Sequence, residues 1–294
     1  MSDLVRNVTA NWGEAGVRWL GELPELTAAI AREWGLELGE PFPLTFHWVA
    51  PAGEGRVLKL GVPGSPHLAA EAATLTFWGG EGAIRLLRHD PGRGALLLER
   101  ATPGTTLRSL VAGRDERATA VLIDVMRRLH RPAPGDLPVE HLADRVADFT
   151  AHLARYPGDD PVPRDLVEQA RELYVALCAS ADDHVLLHGD LHHENVLRAE
   201  REPWLAIDPH GVAGDPGAEI GPVLWNPLTG PEPTLALLDR RLEQLADGLG
   251  MPLDRAVAWG FAQAVLSEVW DQDHGPVPTG RALQVALALR PRLS

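Results

Sequence analysis

Three polar residues follow short apolar runs in the second half of the chain. Val185–Leu187 leads into Asp190, Asn195 opens a second run, and Asp208 ends a third. A turn between the second and third runs would place Asn195 beside Asp208, with Asp190 at the mouth. Because Mg²⁺ prefers hard oxygen ligands, we predict that Asn195 and Asp208 bind it. Asp190 is then the candidate to orient an acceptor hydroxyl and take its proton.

The first half of the chain contributes one conspicuous base. Lys59 is the single lysine among 27 basic residues, and it lies in a run with strand character. A compact ammonium can neutralise the α- and β-phosphates of a nucleotide in a way that a planar guanidinium does not reproduce. Glu71, near the middle of a predicted helix, is positioned to hold that ammonium, although a solvated helix glutamate is the alternative. Together these residues predict phosphoryl transfer, which needs positioning and charge neutralisation more than covalent help.

The elements that position these residues are predicted to form an α+β fold. Residues 1–100 are predicted as a small antiparallel sheet with one inserted helix, which Ser65 caps and Pro66 begins, preceded by two helices at 9–20 and 24–35. Residues 101–294 are predicted as a larger, mainly helical part that carries the hairpin described above. The predicted strands are 45–50, 55–60, 83–88, 94–100, 184–187, 196–198 and 204–207. The further predicted helices are 117–130, 141–154, 164–180, 233–247, 252–270 and 280–290.

Composition limits the class of protein and its partners. One cysteine, Cys178, allows no internal disulfide, no apolar run approaches the roughly 20 residues of a membrane span, and the N-terminus lacks a signal-peptide pattern. We therefore expect a cytoplasmic protein without a membrane partner. The net charge is −14, divided as −3 up to Arg100 and −11 after it. Such a field repels nucleic acid and attracts a cationic ligand, although solubility alone is an alternative explanation.

The motif H-G-D-L-H-x-x-N from His188, followed by I-D-P from Ile207, resembles the aminoglycoside phosphotransferase superfamily. More narrowly, AEREPWLAIDP with GDP soon after is similar to streptomycin 6-phosphotransferases and the aminoglycoside/hydroxyurea resistance kinases. The resemblance runs over nearly the whole chain and includes VLKL, LLLER and VWDQD. It implies a two-lobed protein-kinase-like fold that uses ATP and Mg²⁺.

The resemblance also implies roles for individual residues. The connector between the lobes would bind adenine through the Glu99 carbonyl and the Ala101 amide. His188 is expected to hydrogen-bond the catalytic loop, and Glu219 to brace it, although aspartate is more usual at the position of Glu219. His210 is a second departure from the family pattern.

Two features indicate a small-molecule kinase without regulation by an activation loop. Gly189 stands where protein kinases place an arginine that senses a phosphorylated loop, and only seven residues separate Asp208 from Pro216. The chain lacks G-x-G-x-x-G, as the resembled family does, and the turn near Pro43–Phe46 is expected to cover the phosphates.

An acidic cluster is the candidate acceptor site. Glu268, Asp271 and Asp273 lie near the end of a predicted helix, where acids are unfavourable to the helix dipole. We predict that they bind an amino or guanidino group of a small cationic or polyhydroxylated substrate, with a solvated helix end as the alternative.

Three functions remain open from the sequence. The leading hypothesis is an ATP- and Mg²⁺-dependent kinase that phosphorylates a hydroxyl of a streptomycin-like aminoglycoside. The alternatives are a metabolic kinase for another polyol or amino alcohol, and a kinase-like ATP-binding protein without turnover, against which the intact set of site residues argues. The histidines at 188, 192 and 193 could bind zinc, but no HExxH or cysteine partner accompanies them. The sequence does not distinguish ATP from GTP, and it does not give the acceptor or the oligomeric state.

Overall fold

A four-stranded sheet with two helices is followed by a larger helical part in the computed structural model, which describes residues 3–228, 234–273 and 280–293. The side chain of Asp273 also lies outside the described part. The helices are α1 (Asp3–Trp34), α2 (Pro66–Trp78), α3 (Val111–Leu129), α4 (Val146–Arg155), α5 (Arg164–Ala179), α6 (Ile220–Trp225), α7 (Leu235–Leu249), α8 (Leu253–Asp273) and α9 (Arg281–Leu289). The strands are β1 (Trp48–Pro51), β2 (Arg56–Leu60), β3 (Leu86–Asp90), β4 (Ala95–Glu99), β5 (Pro103–Thr106), β6 (Glu140–His141), β7 (Val185–Leu187), β8 (Val196–Ala199), β9 (Trp204–Ala206) and β10 (Val212–Gly214).

The first sheet has the order β1-β2-β4-β3 and is antiparallel throughout. Leu58 and Leu60 of β2 belong to an apolar cluster with α1, whereas Leu96 and Leu98 of β4 belong to the main core with α2. Since side chains alternate along a strand, Lys59 points away from α1. The sheet therefore separates a structural face from the face that carries Lys59.

Helix α1 departs from the prediction of two helices with a break before residue 24. It continues through Pro24, and its kink lies instead at Gly13, which has φ 52° and ψ −130°. Buried side chains recur every three or four residues on both sides of Pro24, as in Trp19, Leu23 and Ile30. The burial of this continuous apolar face outweighs the proline's local preference for a helix end.

Helix α2 begins at Pro66 after Ser65, as predicted, and its far end reaches the second part of the chain. Trp78 donates from its indole to the Leu129 carbonyl of α3 at 3.0 Å. Gly211 has φ 69°, and a Cβ there would lie 2.1 Å from Thr74 Oγ1. Only glycine fits this close approach, so α2 packs directly against the loop that follows Asp208.

The second part of the chain contains two small sheets on a helical core. β5, β8 and β9 form one sheet, in which β8 and β9 are the predicted hairpin, and β6, β10 and β7 form the other. The predicted division after Arg100 falls in the connector between β4 and β5. Sequence periodicity missed β5, β6, β10 and α6, because elements of two to six residues are too short to show it.

The segment between Asp208 and Pro216 is folded. Its strand β10 pairs antiparallel with β7, next to the catalytic-loop motif. None of the helices in the described ranges combines the length and apolar composition that crossing a bilayer requires.

Candidate active site

Lys59 links the two parts of the chain through a pair of carboxylates. Its Nζ lies 2.6 Å from Glu71 Oε2 and 2.5 Å from Asp208 Oδ1, and its side chain is only 5% exposed. Burial disfavours the charged ammonium, but the two carboxylates outweigh this and raise the pKa of Lys59 above its ordinary value. Burial raises the pKa of Glu71 to about 7 against the opposing pull of Lys59. The ammonium is therefore charged and fixed at the junction.

Asp208 has the geometry of a functional residue under strain. It is the one non-glycine residue with positive φ (59°) in the described part of the chain. Partial desolvation at the cavity wall opposes ionisation, but the Lys59 ammonium outweighs it and holds the pKa of Asp208 well below its usual range. The carboxylate is 53% exposed, so its second oxygen is accessible while Oδ1 bonds Lys59. An ionised, accessible carboxylate fits the oxygen donor set that Mg²⁺ prefers.

Asn195 connects Asp208 to Asp190. The Asn195 amide nitrogen donates to the Asp190 backbone carbonyl at 2.9 Å and to its carboxylate at 3.3 Å, which leaves Asn195 Oδ1 available as a ligand. The Asn195 backbone carbonyl accepts from the amide of Ile207, the residue before Asp208, at 2.9 Å. The structure therefore brings a second oxygen donor next to Asp208, which is compatible with a magnesium site.

The carboxylate of Asp190 is kept ionised by its neighbours. Burial opposes the charged form, but His192, whose Nε2 lies 3.6 Å from Asp190 Oδ2, contributes most to lowering the pKa of Asp190. His192 is oriented for this contact because its Nδ1 accepts from the Glu194 amide at 3.2 Å. An ionised carboxylate at the end of β7 is suited to accept a proton.

His188 and Glu219 hold the catalytic loop in place. His188 donates from Nε2 to the Ile207 carbonyl at 2.8 Å, and burial lowers its pKa. The buried carboxylate of Glu219 accepts from the backbone amides of His188, Gly189 and Leu191 at 2.7, 3.0 and 3.4 Å. Gly189 has φ 85°, and a Cβ there would lie 2.9 Å from Val212. These contacts are consistent with the bracing role that the sequence predicts for Glu219, and they leave no room for a side chain at 189.

Glu219→Gln should destabilise the fold by about 3 kcal/mol, because the amide loses the charge that holds three buried N–H donors. Catalytic turnover should fall as well, since the loop beside Asp190 loses its anchor. Urea unfolding and steady-state kinetics measure the two effects. Glu200→Gln, at an exposed position without a described partner, is the matched control, and equal stability of the two variants would contradict the bracing role.

A cavity of about 400 Å³ opens between the first sheet and the β8–β9 hairpin. Its walls include Lys59, Glu71 and Asp208 together with Glu99 and Ala101 of the connector. The Ala101 amide makes no hydrogen bond within the described ranges. Asp190 and Asn195 do not line this cavity; they adjoin it through Ile207.

Arg201 locks the connector to the hairpin, and sequence reasoning missed it. Its guanidinium forms a bidentate pair with the Glu99 carboxylate, at 2.8 Å for both contacts, and donates to the carbonyls of Gly80 and Ala83. The Glu99 carboxylate is therefore committed to Arg201, which leaves its backbone carbonyl for the predicted contact with adenine. Glu99 and Arg201 lie 102 positions apart, so no local pattern signals the pair.

His47 is a second residue that the sequence reasoning missed. The Phe42 amide donates to the Val49 carbonyl at 2.9 Å, so the chain between them turns back beside the cavity, which His47 lines. His47 Nε2 is buried without a hydrogen-bond partner among the described residues. Burial, and then the Lys59 ammonium, lower the pKa of His47 to about 3. Its only sequence signal is its position directly after the predicted turn Pro43–Phe46.

The candidate acceptor residues lie on α8, outside the cavity. Glu268 is 3% exposed; its Oε1 accepts from Gln272 at 2.9 Å, and its Oε2 has no partner within the described residues. A solvated helix end therefore does not describe Glu268. Asp271 is half-buried, and the side chain of Asp273 lies outside the described residues.

The end of α8 is linked to the catalytic loop through Arg145. Its guanidinium lies 4.9 Å from the Trp270 ring, and a Cβ on Gly189 would lie 3.8 Å from Arg145 Nη2. Trp270 also donates to Asp148 at 2.8 Å. Arg145 therefore lies between the acidic end of α8 and the residue that precedes Asp190.

The three histidines considered for zinc face different environments. His188 bonds the Ile207 carbonyl, His192 faces Asp190, and both ring nitrogens of the buried His193 lack partners in the described ranges. No group of three histidine, cysteine or acidic residues in the described part of the chain is arranged to hold a metal ion.

Comparisons with known proteins agree with this geometry. The chain is 34% identical to streptomycin 6-kinase from Streptomyces glaucescens, covering 95% of this chain and 93% of that protein. A choline/ethanolamine kinase family protein from Mesorhizobium loti has a similar structure, with a TM-score of 0.65 at 19% identity over 92% of this chain and 94% of that one. Aminoglycoside phosphotransferase APH(3'')-Id from Streptomyces rimosus, solved with ADP and streptomycin, has a TM-score of 0.57 at 19% identity. The similarity covers 85% of this chain and 98% of that one.

These structural similarities confirm the predicted two-lobed kinase-like fold. The family model described as aminoglycoside/hydroxyurea antibiotic resistance kinase matches residues 46–275. Together with the 34% identity over nearly the whole chain, this match confirms the resemblance seen in the motifs. The chain belongs to the aminoglycoside/hydroxyurea antibiotic resistance kinase family.

Proposed function

We propose that the protein transfers the γ-phosphoryl group of ATP to a hydroxyl of a small cationic molecule of the streptomycin type. The observation that carries this proposal is Lys59, which is held by Glu71 and Asp208 at the wall of a cavity next to Asp190 and Asn195. The family relationship and the 34% identity to a streptomycin 6-kinase support the acceptor class.

The residues divide the reaction between them. Lys59 binds phosphate oxygens, and Glu71 keeps its ammonium in place. The Glu99 carbonyl and the Ala101 amide bind adenine, because the Glu99 carboxylate is committed to Arg201. Asn195 Oδ1 and the Asp208 carboxylate hold Mg²⁺, which when bound neutralises charge on the phosphates. Asp190 orients the acceptor hydroxyl and takes its proton.

The acceptor is recognised by negative charge. Glu268 and Asp271 on α8, with Asp273 beyond them, provide carboxylates for amino or guanidino groups. The unpartnered Oε2 of the buried Glu268 favours this role, because an unpaired buried carboxylate oxygen is costly unless a ligand satisfies it.

An acceptor screen tests the proposal. The protein is incubated with ATP, Mg²⁺ and a panel of streptomycin, other aminoglycosides, amino alcohols and hydroxyurea, and phosphorylated product is followed by ³¹P NMR. Streptomycin should raise ATP turnover well above the acceptor-free background. If no acceptor raises it, and Asp190→Asn has the same background, the proposed function is wrong.

The same panel separates the two alternatives. A metabolic kinase would favour an amino alcohol or polyol over every aminoglycoside. A binding protein without turnover would be stabilised by ATP and Mg²⁺ yet form no product. The intact set of Lys59, Asp190, Asn195 and Asp208 favours an enzyme with turnover over a binding protein.

His47 is proposed to donate a hydrogen bond to the phosphates, because it lines the nucleotide cavity beside Lys59 with an unsatisfied ring nitrogen. His47→Ala should raise the KM for ATP about tenfold, the value of one hydrogen bond to a charged group, with a smaller change in kcat. His89→Ala, exposed on β3, is the control. An unchanged KM for ATP in His47→Ala would rule out the contact.

A further inference from the structure

A second cavity, of about 360 Å³, lies on the opposite face of the β5–β8–β9 sheet from the nucleotide cavity. Leu197 of β8 and Gly104 of β5 line the nucleotide cavity, whereas their neighbours Arg198 and Thr105 line the second one. Successive residues of a strand point to opposite faces, so the same two strands form walls of both cavities. We call the second cavity the arginine pocket.

Three arginines enter this pocket from two elements. Arg198 is on β8, directly opposite Trp204 on β9. Arg114 and Arg117 come from the beginning of α3, where Ala112 (φ −66°, ψ 103°) and Gly113 (φ 80°, ψ −2°) adopt the angles of a type II turn. Helical geometry resumes after Arg114. The turn thus brings the first helical turn of α3 against the hairpin.

The arginines of the pocket have no counter-charge. Arg114, Arg117 and Arg198 make no ion pair or side-chain hydrogen bond with any residue in the described ranges, although the chain carries a net charge of −14. Of the acids beside Arg114 and Arg117 on α3, Asp115 pairs with Arg241 at 2.5 Å and Glu116 lies 3.9 Å from Arg240, and Glu200, two positions after Arg198, makes no described contact with it. Like charges around one concave site repel, and a bound anion relieves that repulsion.

The remaining lining matches a phosphate group. Guanidinium groups bind phosphate oxygens through paired N–H donors, and the hydroxyls of Thr105 and Ser109 supply further donors. Trp204 contributes an indole surface to the wall. No carboxylate lines the pocket, so its chemistry selects against the cationic acceptors proposed for the catalytic cleft.

We propose that the arginine pocket is a second binding site, which takes a small molecule bearing a multiply charged phosphate or pyrophosphate group. Its occupant contacts β8, the strand that follows Asn195 in the chain. The inference does not depend on the proposed kinase activity, because it concerns binding to a different face of the sheet.

Calorimetric titration with inorganic pyrophosphate tests the proposal, using the full chain without Mg²⁺ at constant ionic strength. Saturable binding is expected, weakened about tenfold by each of Arg114→Gln, Arg117→Gln and Arg198→Gln and lost in the triple variant. Arg32→Gln, an exposed arginine without a described ion pair, should bind as the unmodified protein does. Circular dichroism checks that each variant is folded.

Lys59→Met distinguishes the two possible anion sites. Pyrophosphate binding should survive this substitution, because Lys59 belongs to the nucleotide cavity. Binding that is lost in Lys59→Met but kept in the triple arginine variant would overturn the proposal, as would the absence of saturable binding at millimolar pyrophosphate. ADP titrated into Lys59→Met, with and without the three arginine substitutions, identifies the source of the phosphate: an ADP-binding component that is tighter than pyrophosphate and disappears with the arginines indicates a nucleotide, and weaker binding a free phosphate compound.

Discussion

Asp190→Asn should lower kcat by about 10²- to 10⁴-fold while leaving the affinity for ATP unchanged. The asparagine keeps the size of the side chain and can still accept the hydrogen bond from Asn195, which is 3.3 Å from the carboxylate. It cannot accept the proton of the acceptor hydroxyl, which the proposed mechanism requires. Product formation with streptomycin gives kcat, and calorimetry gives the ATP affinity.

The control for this prediction is Asp183→Asn, a nearby exposed aspartate with no described partner. It should retain full activity. Full activity in a folded Asp190→Asn variant, with folding checked by circular dichroism, would show that Asp190 is not the proton acceptor.

Asp208→Asn should lower kcat/KM at least about 100-fold and remove most of the dependence of ATP binding on Mg²⁺. A lost factor of 100 corresponds to about 2.7 kcal/mol, a reasonable cost for removing the charged metal ligand. Asparagine tolerates the positive φ of 59° at this position, and Glu71 remains to pair with Lys59, so the fold should survive. The affinity for ATP is measured by calorimetry with and without Mg²⁺.

This experiment contains its own control. Without Mg²⁺, the variant should bind ATP at least as well as the unmodified protein, because Asp208 no longer competes with the phosphates for Lys59. An unchanged stimulation by Mg²⁺ in Asp208→Asn would mean that the metal binds elsewhere.

The residues that the sequence singled out come together because their spacing reflects one hairpin and one strand. Asn195 and Asp208 flank β8 and β9, two short apolar runs joined by a tight turn, so local patterning was enough to place them side by side. Lys59 was conspicuous because the chain has no other lysine. The sequence placed Lys59 only with the phosphates and Glu71, and its contact with Asp208, across 149 positions, is seen in the structure alone.

The features that the sequence did not reveal depend on tertiary contacts. The Arg201–Glu99 pair joins distant segments, and the burial of Glu268 depends on how α8 packs. The uninterrupted course of α1 through Pro24 depends on an apolar face that only the sheet makes favourable to bury. Local sequence propensity predicts none of these three features, because each depends on residues distant in the chain.

We propose that Lys59, Asn195 and Asp208 surround one metal-bound triphosphate, with Asp190 facing its γ-phosphate. The most direct test is a crystal structure with Mn²⁺ and a non-hydrolysable ATP analogue, in which anomalous scattering locates the metal. We expect a Mn²⁺ peak about 2.1 Å from Asn195 Oδ1 and from an Asp208 oxygen, with phosphate oxygens in contact with Lys59. A nucleotide outside this cavity, or a metal that touches neither side chain, would contradict it.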